Sequence, residues 1–343
     1  MRKHVLTKYP RIIDVVVPGM TLEGNPLDDP AERRVPVYLP PSYDDKKRFP
    51  VIYLLAGFAS TGQSFLNYSF GRQSVPEMAQ SLIAGGKMQE AIIVFPDCMT
   101  RYGGSQYVDS PATGNYETYL IDELIPFIDR ILLTLADKKH RAIAGKSSGG
   151  FGALRLAMKH PDTFAAVACH SGDMAFELCY KPNFPAAARV LEQYKGSVVD
   201  FFTSYERALI KPQKEFALLD LIGMAAAYSP SRETCTLEKI RLPFDPHTCE
   251  TVDEVWQEWL SFDPIVMIEQ EKYRKALRSL DFLFLDCGTL DEYNLQFGHR
   301  IFSAKATHFS IAHCYEEFMG THSNTSYRYG VSLPALSEVI AGS

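Results

Sequence analysis

Ala142-Ile143-Ala144-Gly145-Lys146-Ser147-Ser148-Gly149-Gly150-Phe151-Gly152-Ala153 is the stretch whose reading decides the fold. Within it, Gly145-Lys146-Ser147-Ser148-Gly149 matches G-x-S-x-G, the pattern of a nucleophile elbow. In such an elbow a serine sits on a sharp turn between a strand and a helix, its hydroxyl held out of the fold. Side chains two places before and after the serine would collide. Gly145 and Gly149 meet that need, and Gly150 lets the following helix pack close. The flanks agree. Arg141–Ala144 reads as a short strand, and Phe151–Met158 as a helix that stops at His160-Pro161. This frame implies a serine hydrolase or an acyltransferase.

Two other readings compete. Gly145-Lys146-Ser147 also resembles the end of a phosphate-binding P-loop. That motif needs glycine at position 140, where His140 stands, and the residues between are strand-like. A plain Gly/Ser turn is the second competitor. It is tested by whether the chain supplies the serine's partners in the right order.

A serine hydroxyl is a poor nucleophile, so it needs a nearby base, usually a histidine oriented by a carboxylate. On this frame the chain order is serine, acid, histidine. The strand-like run Phe282–Leu285 leads into Asp286-Cys287-Gly288-Thr289-Leu290-Asp291-Glu292. Asp291 is preferred as the acid, because a carboxylate a few residues past a strand reaches sideways toward the base. Asp286 ends the strand itself and is the reserve, with an Asx-turn as its structural role. Of nine histidines, His322 fits in placement and order, in Met319-Gly320-Thr321-His322-Ser323 after the strand-like Ile311–Phe318. His308 and His313 flank or lie in that run and read as structural. His170 precedes every late acid, and His299 falls in the helix after Asp291.

Attack by the serine creates an oxyanion, which needs preorganised N–H donors. The Ser148 amide is one candidate. The other is the Phe58 amide, in the loop Ala56-Gly57-Phe58-Ala59-Ser60-Thr61-Gly62 after the strand-like Val51–Leu55. The loop from Arg101 to Tyr107 follows Met88–Phe95 and belongs on the same edge. Its Gln106 and Tyr107 are candidates for touching substrate or for holding the loop.

Outward from these residues, strand-like and helical runs alternate. Ile12–Val17 and Val35–Leu39 are early strands, Phe164–Cys169 follows the elbow helix, and Pro334–Ile340 closes as a helix. A long amphipathic helix spans Tyr116–Ala136, with Pro126 as a kink. Such alternation predicts an α/β fold with a mostly parallel sheet. Asp173–Asp263 breaks the rhythm and reads as a mainly helical cap inserted into one domain that takes in the whole chain. Its helical runs are Ala186–Tyr194, Val198–Leu209 and Glu215–Tyr228, the last apolar nearly all round and therefore buried. A loop, Ser229–Thr251, and a stretch with Trp256 and Trp259 follow. Tyr180, Phe184, Phe201, Phe202 and Tyr205 form either the cap's own core or an apolar acyl pocket.

The 343 residues are 46% hydrophobic and 22% charged, with a net charge of −6, ordinary for a globular chain. No basic block suggests nucleic acid, and no run of 18 apolar residues suggests a membrane span. The first ten residues lack the apolar core of a secretion signal. The seven cysteines are scattered without a C-x-x-C pair, and no histidines show H-E-x-x-H spacing. No metal or cofactor is therefore expected, and a reducing cytoplasm is the simplest compartment. A homo-oligomer is left open.

Together these residues resemble the putative-esterase family of α/β-hydrolases, which includes esterase D, enterochelin-esterase-like proteins, feruloyl esterase domains and mycolyltransferases. The similarity runs from about Val35 to Ile340. It rests on the loop after Tyr53, Phe95-Pro96-Asp97-Cys98, Tyr116–Pro126, the elbow, Cys287–Asp291 and Gly320-Thr321-His322. The resemblance implies an α/β-hydrolase fold with Ser147, Asp291 and His322 as its triad, and Phe58 and Ser148 as its oxyanion amides. The implied activity is hydrolysis of a small or medium carboxylic ester through an acyl-enzyme. Acyl transfer by the same triad, and a non-catalytic binding role on a hydrolase fold, are the alternatives.

Overall fold

The computed structural model describes residues 9–44, 46–231 and 240–342. Cys235 and parts of the N-terminal segment and of the 229–251 loop lie outside the described residues.

Eight strands form one sheet. They are β1 (Arg11–Val17), β2 (Arg33–Leu39), β3 (Val51–Leu55), β4 (Ile92–Val94), β5 (Arg141–Lys146), β6 (Ala166–His170), β7 (Phe282–Gly288) and β8 (Cys314–Phe318). Across the sheet they run β1-β2-β4-β3-β5-β6-β7-β8. The pairs of β2 with β1 and with β4 are antiparallel, and the others are parallel.

The central strands are apolar on both faces because both faces are covered. In β3, Ile52 and Leu54 join one core with Leu333, Leu336 and Ile340 of the last helix, Tyr329–Ile340. Val51, Tyr53 and Leu55 point the other way, into a core with Leu154, Ala157 and Met158 of the helix Ser148–Lys159. β8 is an edge strand that carries Glu316 and Glu317, paired with Arg328 and Arg300. Charge on an edge discourages pairing with other chains.

Where the fold departs from the local pattern, tertiary contacts are the reason. The helix expected over Tyr116–Ala136 ends at Ile131, and Tyr119–Leu124 is a π-helical segment. The widened turns stand just before Pro126, which lacks the N–H that a regular α-turn would use. Beyond Ile131, the Leu133 carbonyl accepts from the Phe49 amide at 2.9 Å, and the Leu135 amide donates to the Phe49 carbonyl at 2.8 Å. These strand-like bonds replace the last turn.

Between β6 and β7 lie the helices Phe176–Cys179, Phe184–Glu192, Val198–Arg207, Phe216–Tyr228 and Asp253–Leu260. They share a core of their own in which Phe184, Phe201, Phe202, Trp256 and Trp259 are buried. Tyr205 packs at its margin, and Tyr180 belongs both to this core and to the wall of the site described below. The segment is tied at its two ends. The Asp263 carboxylate accepts from the amides of Ala175 and Phe176, at 3.0 and 2.6 Å. Burial pushes its carboxyl up to about 6 against those hydrogen bonds.

Candidate active site

The elbow stands at the carboxyl edge of the sheet. Register places Leu55 beside Gly145, Lys146 beside His170, and His170 beside Asp286. Ligands of open α/β sheets bind outside this edge. Ser147 has φ 58° and ψ −129°, a conformation a non-glycine residue adopts only where its surroundings impose it. Its amide donates to the His170 carbonyl at 3.0 Å, and its carbonyl accepts from the Phe151 amide at 2.9 Å. A Cβ on Gly145 would lie 2.3 Å from the Gly149 carbonyl oxygen, and one on Gly149 would lie 2.2 Å from that of Leu55. Both neighbours are backbone and cannot yield. Gly149→Ala should therefore cost at least about 3 kcal/mol, read as a lower urea midpoint. An unchanged midpoint would contradict this packing.

The sequence-predicted partners meet at Ser147. His322 Nε2 is 3.0 Å from Ser147 Oγ, and His322 Nδ1 is 2.9 Å from Asp291 Oδ2. Asp291 Oδ1 accepts from the Tyr293 amide at 3.0 Å, and the Cys287 thiol lies 3.7 Å from Oδ2. Burial pushes the Asp291 carboxyl up, but the hydrogen bond and charge of His322, with the Tyr293 amide, outweigh it and hold the group below the ordinary carboxylate range. The acid and base loops are stitched together. The Thr289 amide donates to the Phe318 carbonyl and the Leu290 amide to the Gly320 carbonyl, each at 2.9 Å. That approach requires Gly288, whose added Cβ would lie 2.5 Å from the Gly320 carbonyl oxygen. Glu292 accepts from the His322 amide at 2.8 Å, and the Tyr293 ring meets the imidazole edge-on at 4.8 Å.

Phe58 and Ser148 line the same cavity as Ser147 and His322. The Phe58 amide has no backbone or side-chain acceptor among the described residues. The Ser148 amide opens a helix, where no intrahelical acceptor exists. The Phe58 ring is lodged against Gly103, Gly104 and Gly223, and a Cβ on Gly103 or Gly223 would lie 2.6 Å from it. Gly223 interrupts the apolar helix Phe216–Tyr228 where this ring sits.

Gln106 and Tyr107 are buried and do not line the cavity. The Tyr107 hydroxyl donates to the Ala56 carbonyl, and its ring packs on Gly152 of the elbow helix. Gln106 Nε2 donates to Asp173 Oδ2 at 3.2 Å. Both side chains are bonded inside the fold, and neither reaches the cavity.

Besides the exposed Arg72, three charged residues of the cavity wall were not singled out by sequence. Asp173 follows β6, the strand beside the elbow, and its position past a strand end was an available signal. Its Oδ2 accepts from Ser148 Oγ at 3.1 Å and from the Tyr180 hydroxyl at 2.9 Å. Burial raises its carboxyl despite those bonds. Asp220 is the lone charge in the helix Phe216–Tyr228, and that isolation was its signal. Burial, reinforced by Asp173, pushes its carboxyl up to about 8. Lys146 stands beside Ser147, and burial lowers its ammonium against the charges of Asp291, Glu292 and Asp173.

The Asp220 shift has a consequence for stability. Between about pH 4 and pH 8 the unfolded chain releases this proton while the folded chain keeps it, so stability falls as pH rises through that window. Asp220→Asn should raise Tm at pH 8 and change it little near pH 4, by scanning calorimetry. An equal effect at both values would refute the shift.

Asp286 belongs to a second array. His170 Nδ1 is 2.7 Å from Asp286 Oδ1, and His170 Nε2 is 2.8 Å from Ser332 Oγ. Arg328 Nε donates to Asp286 Oδ2 at 2.6 Å. Ser332 is fully buried within the last helix, so no substrate reaches it.

A mostly parallel sheet with a serine elbow at its carboxyl edge, met by a histidine and a carboxylate from later loops, defines the α/β-hydrolases. Within that class the chain belongs to the esterase family described as "Putative esterase", whose model matches residues 30–334. The chain is 36% identical over 144 residues to an esterase of Mycobacterium tuberculosis, a match covering 40% of this chain and 28% of that protein. It is 34% identical over 133 residues to the endo-1,4-beta-xylanase/feruloyl esterase of Xylanibacter ruminicola, covering 37% and 18%. The matched region thus spans less than a third of these curated relatives. Among solved structures, a ferulic acid esterase superposes with a TM-score of 0.61 at 21% identity, covering 96% of this chain and 98% of that one. A fluorophosphonate-binding serine hydrolase of Staphylococcus aureus gives 0.59 at 15%, covering 97% and 99%. At such identities these structures speak to the fold. No helix among the described residues is long and apolar enough to cross a membrane.

Proposed function

We propose that the chain hydrolyses small to medium carboxylic esters through an acyl-enzyme on Ser147. The observation that carries this reading is the continuous hydrogen-bonded line from Ser147 Oγ through His322 to Asp291. Ser147 Oγ attacks the ester carbonyl carbon while His322 Nε2 takes its proton. The oxyanion is met by the Phe58 and Ser148 amides. Collapse expels the alcohol, which receives the proton from His322. Water then repeats the cycle and releases the acid. Asp291 keeps the Nδ1 proton in place and stabilises the imidazolium.

The cavity at Ser147 holds about 460 Å³, within the range of small-molecule sites. Phe58, Tyr180, Phe216, Tyr293 and Leu295 give it apolar walls. The helices over residues 173–263 act as its cap. The esterase names of the relatives support the reaction class, and the feruloyl esterases among them make methyl ferulate a natural member of a test panel. Turnover of p-nitrophenyl esters from acetyl to dodecanoyl should peak below dodecanoyl and vanish in Ser147→Ala. Folded protein that turns over no ester would sink the proposal.

A further inference from the structure

We infer that the cavity wall built by Asp173, Asp220, Tyr180, Phe216 and Tyr293 is a subsite for an alkylammonium group carried by the ester substrate. The inference rests on the esterase reading and names a substrate class for it.

The two carboxyls line the same cavity as Ser147. Asp173 is 7% exposed, and its three side-chain donors, Ser148, Tyr180 and Gln106, all reach Oδ2. Its Oδ1 has no partner among the described residues and is not among the sealed polar atoms, so it opens on the cavity. Asp220 makes no hydrogen bond or ion pair among the described residues. The one charge that acts on it is Asp173, of the same sign. Lys146, the half-buried cation of this wall, answers to Asp291, Glu292 and Asp173 rather than to Asp220.

Two carboxyls in a poorly solvated wall, without a cation between them, are costly for the protein to ionise. A neutral hydroxyl from a ligand would satisfy an oxygen but leave the repulsion. A ligand cation removes both costs. The rings of Tyr180, Phe216 and Tyr293 stand in the same wall, and aromatic rings with carboxylates are the surroundings that alkylammonium groups favour. On this side the remaining titratable groups facing Asp220 are Cys179, Tyr180 and Tyr293; burial pushes all three up, so Asp220 ionises before them. On its other side Asp220 borders a second, open cavity with Tyr205 and the exposed Lys211 and Lys214, neither of which offsets the rise in its carboxyl.

The test compares charged esters with neutral isosteres, by calorimetric titration of Ser147→Ala protein. One pair is choline butyrate and 3,3-dimethylbutyl butyrate, with the cation on the alcohol. The other is ethyl 6-aminohexanoate and ethyl heptanoate, with the cation on the acyl chain. In one pair the charged member should bind at least about tenfold tighter, and that pair shows which side of the scissile bond faces the subsite. The preference should grow up to about tenfold from pH 7 to pH 9 as Asp220 ionises, and should collapse toward parity when Asp220→Asn is added. No preference in either pair, or a preference that survives Asp220→Asn, overturns the inference. If the double variant does not fold, a preference that stays constant from pH 7 to pH 9 overturns it. Turnover of the neutral esters by the unaltered protein is measured alongside. Its failure would sink the hydrolase reading without altering the binding result, and the converse also holds.

Discussion

Ser147→Ala should lower kcat/KM for every ester the protein accepts by about 10⁶-fold while leaving the fold intact. The expected size follows from what the hydroxyl alone supplies. Without Oγ at 3.0 Å from His322 Nε2, no covalent intermediate forms, and only the amides and the cavity remain to favour reaction with water. The fold survives because the change removes one oxygen from a site open to the cavity and leaves the turn's backbone bonds in place. Labelling by a fluorophosphonate probe should disappear in parallel, and circular dichroism should be unchanged. A variant that stays folded and keeps its turnover would remove Ser147 from the mechanism.

Asp291→Asn and Asp286→Asn should fail in different ways. The first should lower kcat by about 10⁴-fold at little cost in stability, because an amide at this position no longer holds the imidazole in the tautomer that can accept the serine proton. The second should cost about 3–5 kcal/mol, because Arg328, with a side chain 11% exposed, loses its buried counter-charge, and the one amide oxygen left can accept from Arg328 or from His170 but not from both. Its folded fraction should still turn over ester far faster than Asp291→Asn. Urea midpoints and kcat measured on both variants separate the two acids. A large loss of kcat in stable Asp286→Asn, with Asp291→Asn fully active, would reverse the assignment.

The elbow was legible because its rule is local. Two glycines flank a serine between a strand and a helix, and the collisions they avoid involve residues fixed by that turn. Asp291 and His322 were legible because the topology fixes their order along the chain, and the two loops they occupy are neighbours at the end of β7 and β8. Asp173 and Asp220 were harder to read. Each is an ordinary acid until the fold brings residues 47 positions apart to one cavity, with Asp173 buried and Asp220 half-buried. Gln106 and Tyr107 lie on the correct edge by topology, yet both side chains turn inward. Strand order specifies the edge and leaves side-chain direction to packing. The helix over Tyr116–Ala136 was overdrawn for a similar reason, since its final turn yields to Phe49, far away in sequence.

The buried array of Ser332, His170 and Asp286 bears on how active sites are found in new structures. Its two contacts, 2.8 and 2.7 Å, are as short as those of Ser147, His322 and Asp291. A template built on interatomic distances alone would therefore count two hydrolytic centres in this chain. The criteria that separate them are the torsion of the serine backbone and a path for solvent. The buried copy lies within a helix and has no such path, so it works as a brace between the sheet and its last helix. Screens that add those two criteria would discard internal braces of this kind before any assay is run.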